Sequence, residues 1–351
     1  MRAPSAAVGA ASAMLLVGTS TAVSATIADY PVFIGQALRY AIAALILLAV
    51  VRHQRLPRVH LSGRDVLLLF ALAATGLAGF NLFLVAATQH AGPAMVGTVI
   101  GAVPVVLALV GPLIERRRPA PRIVVAAAVV AVGTAVAAGL GSGSAQGLLL
   151  SLGALAGEVA FSLLAVPLLP RLGPLRVAAY PAALSVPLLL IAGLVVDGTG
   201  SLRLPTPAEA MAFGYLSVVV TAVAFFLWYD ALRKLGADRA GLFAGLVPIG
   251  ALVTTVVLGL GRVGPADLAG AVLVATGVVI GLHRPKPRRA RHTIGRFTRA
   301  LSCRTAFRPP SRFVAHRGVP TPAETQSLDD EAPATRAGKR RPGSKDFIKT
   351  P

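Results

Sequence analysis

The chain is poor in most of what a soluble enzyme uses. Among 351 residues there is one cysteine, Cys303, which excludes an intramolecular disulfide and any cysteine-cluster metal site. Aromatic residues make up 5% and tryptophan occurs once, too few for a base-stacking surface. Charged residues are 14% of the chain, where an ordinary soluble domain has about 25%. Acids are the scarcest class, 14 against 34 Lys and Arg, for a formal charge of +20. The histidines have no metal-ligand spacing, and a nucleophile elbow, a Walker loop and HExxH are all missing. Neither a cofactor, a metal nor an enzymatic activity is therefore expected.

What is abundant is apolar sequence. Hydrophobic residues are 55% of the chain and the mean hydropathy is +0.73. A membrane span needs about 20 mostly apolar residues to cross about 30 Å of hydrocarbon. Such blocks lie near 6–28, 31–51, 66–87, 92–114 and 123–141, and again near 147–169, 176–196, 209–232, 240–260 and 265–283. They are too long for barrel strands, so each reads as a helix. The links after even-numbered blocks carry thirteen Lys and Arg, including Arg52, Arg116, Arg171 and Arg233, while the links after odd-numbered blocks carry only Arg203 and Arg262. Cytoplasmic links are the basic ones, so ten spans with both termini in the cytoplasm of a bacterial inner membrane are expected. The first block also fits a signal peptide cleaved near Val23-Ser24-Ala25, but a repeat within the chain needs it as a helix.

That repeat appears on shifting the sequence by 144 residues. Gly92, Gly97, Gly101, Val103 and Pro104 fall on Gly236, Gly241, Gly245, Val247 and Pro248; Arg118, Pro121, Val130, Ala131 and Gly133 fall on Arg262, Pro265, Val274, Ala275 and Gly277. Five spans per copy is an odd number, so the second copy enters the membrane inverted, a recurrent transporter architecture with its site at the midplane. The expected fold is thus an all-α integral membrane protein, ten transmembrane helices arranged as two inverted five-helix repeats. The expected divisions are 1–141, 142–283 and a tail, 284–351.

These residues resemble a two-repeat, ten-helix member of the drug/metabolite transporter superfamily, of the type called EamA. The fourth-span pattern from Gly92-Pro93-Ala94 through Pro104 to Glu115, its second copy from Gly236 through Pro248 to Gly277, and Arg39 within Ala37-Leu38-Arg39-Tyr40 carry the resemblance. It implies secondary transport of a small organic metabolite by alternating access, with efflux of an amino acid, related metabolite or toxic compound as the leading expectation. The family often has an acid about eleven positions after the proline in both halves. Glu115 supplies the first, but Gly259 stands at the second, so this chain departs from the family pattern there. The rival class is a polytopic membrane protein that transports nothing, such as a lipid-processing enzyme or a sensory module.

An ionisable residue inside a span is by default a functional hypothesis, and two sit well inside. Arg39 is eight residues into the second span and Glu158 about eleven into the sixth, which suggests similar depths and a direct or water-mediated pair. Glu158 either binds a cationic substrate group or a coupling proton with Arg39 as counter-ion, or the two form a structural ion pair joining the halves. Gln36, Tyr40, Asn81, Thr98 and Thr221 are further candidates for a polar cavity. Gly97, Gly101, Gly241 and Gly245 form two GxxxG faces, and Pro104 and Pro248 each free a backbone carbonyl. The fourth and ninth helices are therefore read as kinked, either as hinges of a cavity or as tightly packed helices with tolerated kinks. Trp228 and Tyr229, beside Asp230, read as interfacial anchors rather than cavity walls. Glu115 and Asp230 read as inner helix ends satisfied by neighbouring arginines.

The tail holds 17 Lys and Arg against five acids. It has no sustained apolar face, so disorder is expected, with attraction to anionic lipid of about 1 kcal/mol per basic residue close to the surface. Nucleic acid is a less suitable partner, because Phe297, Phe307, Phe313 and Phe347 are the only tail aromatics. The expected partners are a small-molecule substrate and the bilayer; a homodimer is compatible with the sequence.

Overall fold

The structure, a computed structural model, describes residues 2–139, 143–259, 262 and 264–283. The basic tail and Cys303 fall outside the described residues. Among these, ten helices are long and apolar enough to cross a membrane: α1 (Ser5–Ala25), α2 (Val32–His53), α3 (Gly63–His90), α4 (Ala94–Ile114), α5 (Pro121–Ala138), α6 (Ala145–Leu163), α7 (Leu169–Val196), α8 (Pro207–Leu235), α9 (Ala237–Val257) and α10 (Pro265–Leu282). One expected boundary moves substantially. The sixth span ends at Leu163 rather than near 169, because Pro167 and Pro170 interrupt the apolar run, and α7 kinks at Gly173, whose φ is 74°.

The repeat register is visible in the backbone. α3 and α8 begin at 63 and 207, and α5 and α10 span 121–138 and 265–282. π-helical stretches occupy 72–79 in α3 and 216–223 in α8. Each number differs from its partner by 144. Even the helix starts match, since Ser62 with Asp65 and Thr206 with Glu209 both form capping boxes. There the hydroxyl and the acid satisfy backbone N–H groups that would otherwise lack acceptors.

Packing pairs each repeat with its counterpart. α5 lies along α10 and α2 along α7. A Cβ on Gly133 would meet the backbone nitrogen of Val274 and the carbonyl of Gly270, and one on Gly277 would meet Val130 nitrogen and the Ala126 carbonyl. These are the same contact made twice, as a two-fold relation requires. The first helix of each repeat crosses over: α1 packs on α8 and α9, and α6 on α3 and α4. The halves are therefore interleaved within one compact unit.

Large apolar side chains such as Leu45, Val195 and Val257 point outward, towards what would be lipid. Ser151, Ser162, Ser185, Thr134, Thr221 and Asn81 are buried. Small and hydroxylated residues let membrane helices approach and hydrogen-bond without help from the hydrophobic effect, which lipid removes.

Candidate functional site

Contacts between links sort into two ends of the bundle. At the arginine-rich end, Arg171 Nη1 sits 2.6 Å from Asp65 Oδ2 and Nη2 donates to the His60 carbonyl at 3.2 Å. Arg176, buried, donates to the Pro57 carbonyl. Arg117 bonds Glu115, which holds its guanidinium above the ordinary value, and reaches Asp238 at 3.5 Å. Asp65–Arg171 and Arg117–Asp238 both join one repeat to the other. Asp230, five residues before the end of α8, is bonded by Arg233 and Lys234. The arginine-poor end is held differently. Arg203 pairs with Glu209 of its own repeat, stacks on the Tyr30 ring at 4.4 Å, and accepts the Tyr30 hydroxyl on its carbonyl at 2.8 Å. Tyr30 in turn meets Phe213 edge to face.

Beside Tyr30 a cavity of about 80 Å³ enters from the arginine-poor end, lined by Ser24, Tyr30, Gln36, Arg39, Phe213 and Leu216 among others. Its polar inner wall comes from α2. Arg39 Nε donates to Thr221 Oγ1 at 2.6 Å and Nη1 to Gln36 Oε1 at 3.4 Å, and the guanidinium carbon lies 5.5 Å from the Tyr40 ring centre. Thr221 is presented by the π-helical stretch of α8, where its hydroxyl donates five residues back to the Leu216 carbonyl at 2.9 Å. π-bulges often mark functional sites, and this one turns a threonine towards the cation of the other repeat. Gln36, Arg39 and Thr221 are thus brought together.

Glu158 is not part of that group. The expected direct pair with Arg39 is absent: no ion pair joins them among the described residues. Helix geometry gives the reason. Counted from the arginine-poor ends, Arg39 is seven residues along α2 and Glu158 thirteen along α6, a difference of about 9 Å at 1.5 Å per residue. In the sequence the two depths look closer because the apolar blocks start near 31 and 147, whereas α2 begins at Val32 and α6 at Ala145. Glu158 therefore sits in the arginine-rich half, half-buried, one turn before Phe161 on α6. It has no hydrogen-bond partner among the described residues.

Aromatic rings stand between the two charges. Phe161 is 4.7 Å from Phe225 and 5.1 Å from Tyr229, and Phe225 is 6.3 Å from Tyr40, centre to centre. Asn81, also buried, donates to Tyr40 Oη at 3.4 Å and to the Leu77 carbonyl at 2.7 Å. Trp228 and Tyr229 correct the sequence reading, which placed them at the membrane interface. They are 3% and 1% exposed, and their polar tips reach Ser162 Oγ at 3.2 Å and the Phe161 carbonyl at 3.3 Å. Helix α8 continues to Leu235, so they lie inside the bundle. Phe161, Phe225, Tyr30 and Phe213 went unnoticed in the sequence, where a phenylalanine in an apolar run has no distinguishing mark.

The fourth and ninth helices break where glycine and proline predicted. α4 is interrupted at Gly101 and Ala102 before Val103-Pro104, and α9 passes through a 3-10 stretch, 242–246, before Val247-Pro248. A Cβ on Gly101 would press on the Thr134 side chain, one on Gly241 on Leu107, and one on Gly245 on Val130, while Gly97 has ordinary spacing to Ala138. Thr98 donates to the Gly139 carbonyl at 3.0 Å, away from the Arg39 group. No cluster that could hold a metal ion occurs among the described residues.

The sequence profile of the EamA-like transporter family matches residues 4–139 and again 145–282. The chain belongs to this family. The uncharacterized transporter YetK of Bacillus subtilis (strain 168) is 24% identical to it over 259 residues, covering 72% of this chain and 78% of its own. One crystal structure matches the EamA fold of this chain with a TM-score of 0.68 at 21% identity, covering 80% of this chain and 98% of the other. The chain is accordingly a multi-pass membrane transporter of the EamA type.

Proposed function

We propose that the chain is a secondary transporter that exports a small organic metabolite from the bacterial cytoplasm by alternating access, with the arginine-rich end and both termini inside. No enzymatic step is part of this reading. The observation that carries it is Glu158: an acid within a span, without a hydrogen-bond partner among the described residues, one turn before Phe161 of the aromatic cluster. A lone intramembrane carboxyl is costly and is suited to taking up and releasing a proton as access alternates. The paired breaks at Gly101-Pro104 and Gly245-Pro248 supply hinges at equivalent places in the repeats.

The test is transport in proteoliposomes against a metabolite panel, with and without an imposed pH gradient. Glu158→Gln, which keeps size and removes the titratable group, is expected to abolish the pH-driven component while leaving expression intact. A pH dependence identical to that of the unaltered chain would overturn the proton role. An absence of transport for every compound in the panel would count against export itself.

A further inference from the structure

Arg39 carries more than the reading above requires. A guanidinium has five N–H donors in a planar fork, and two are engaged here, one on Thr221 and one on Gln36. The Nη2 group and the remaining Nη1 hydrogen have no acceptor among the described residues. Among the described residues no carboxylate forms an ion pair with it: Glu158 lies deeper and Glu209 is bound by Arg203. A cation held within a span with unused donors is unfavourable unless something else meets it. The cavity that Arg39 lines opens to the arginine-poor end and has room for a small anionic group and a short stem.

We infer that Arg39 is the anion-recognition point of this vestibule, docking the carboxylate of a small organic acid or amino acid against its free guanidinium edge. Two parallel N–H···O bonds are the natural fit of a guanidinium to a carboxylate. Thr221 fixes Nε and Gln36 steadies Nη1, so the fork is oriented before the ligand arrives. The Tyr40 face backs the guanidinium carbon, and Tyr30, Phe213 and Leu216 give the ligand's stem an apolar wall. This assignment rests on the transporter reading for its purpose and names the substrate class of that reading.

The test uses the full-length chain in lipid nanodiscs, with thermal unfolding followed by emission of its only tryptophan, Trp228. Acetate and propionate are compared with acetamide and inorganic phosphate at constant ionic strength. The expected result is saturable stabilisation by the two carboxylates and none by acetamide or phosphate. Arg39→Gln is expected to lose it, with a roughly tenfold to hundredfold fall in affinity. Arg39→Lys, which keeps the charge without the fork, decides the matter if Arg39→Gln does not fold; it too is expected to bind acetate more weakly. Equal stabilisation by acetamide, a preference for phosphate, or unchanged acetate affinity in either variant overturns the assignment. Carboxylate binding that depends on Arg39 without any carboxylate transport would sink the transporter reading and leave the site standing. Transport of a neutral or cationic compound, unaffected by Arg39→Gln, would do the reverse.

Discussion

Single residues decide what the interior of this bundle can hold. Trp228 and Ser162 show how a polar contact is formed there: the indole N–H has one acceptor, the Ser162 hydroxyl at 3.2 Å, and both residues are buried. Such bonds in membrane proteins average about 0.6 kcal/mol and reach about 1.7 kcal/mol, so the pair ties α6 to α8 without making either helix rigid. A double-mutant cycle with Ser162→Ala and Trp228→Phe should give a coupling of about 0.5–1.5 kcal/mol, measured by unfolding in mild detergent. Additive effects would mean that the bond contributes nothing. Nothing in the local sequence gave this position away, because an aromatic pair followed by Asp230 looks like a helix end. The acid is instead satisfied by Arg233 and Lys234 one turn further on, which lets α8 continue. The depth of Glu158 was misjudged for a related reason: apolarity alone does not mark where a helix begins, and α6 starts at Ala145, ahead of the apolar block near 147.

At the scale of helices, the positions that need glycine are those where a backbone lies against it. Gly18 in α1 is the clearest case, since a Cβ there would stand 2.1 Å from the Val247 carbonyl and 2.9 Å from Gly250 Cα. Both partners are backbone and cannot rotate away. Gly97, although it opens a GxxxG face, would place its Cβ 3.5 Å from Ala138 Cβ, an ordinary contact. Gly18→Ala is therefore expected to lower stability by about 1–3 kcal/mol, the usual cost of overpacking, and Gly97→Ala to be neutral or slightly stabilising through helix propensity. Unfolding midpoints of the two purified variants check this, and the opposite order would refute the packing assigned here. Most of the architecture was legible at this level. Hydropathy gave ten helices, and the 144-residue register gave the repeat, because both depend on composition along the chain. The π stretches were not legible, since they arise from how α3 and α8 pack, although the capping boxes at Ser62 and Thr206 lay in plain view as sequence patterns. The Arg39 group was half legible: its members were candidates, but their separation from Glu158 depended on where α2 and α6 begin.

Over the whole molecule the two ends are fastened unequally. The arginine-rich end is crossed by Asp65–Arg171 and Arg117–Asp238, each linking one repeat to the other, while the ion pair at the arginine-poor end, Arg203–Glu209, stays within one repeat. Cavity and fastening agree, because the vestibule enters at the end where no cross-repeat ion pair occurs among the described residues. Asp65 and Glu209 occupy equivalent capping positions, at 65 and 209, so the inverted repeat supplies the same acid at both ends. It finds its partner across the repeats only at the arginine-rich end. If alternating access exchanges the roles of the two ends, weakening the closed end should depopulate this conformation. Asp65→Asn with Asp238→Asn removes both cross-repeat ion pairs, and partly exposed pairs contribute up to about 1 kcal/mol each. A shift of that size is a severalfold to thirtyfold change in the ratio of the two conformations. With Cys303→Ser as background, Gln36→Cys reports on the vestibule by its reaction rate with a membrane-impermeant maleimide applied from the arginine-poor side. The rate should fall severalfold when the two asparagines are introduced, as the vestibule closes and the opposite end opens. An unchanged rate would mean that these ion pairs hold the links together without setting which end is open.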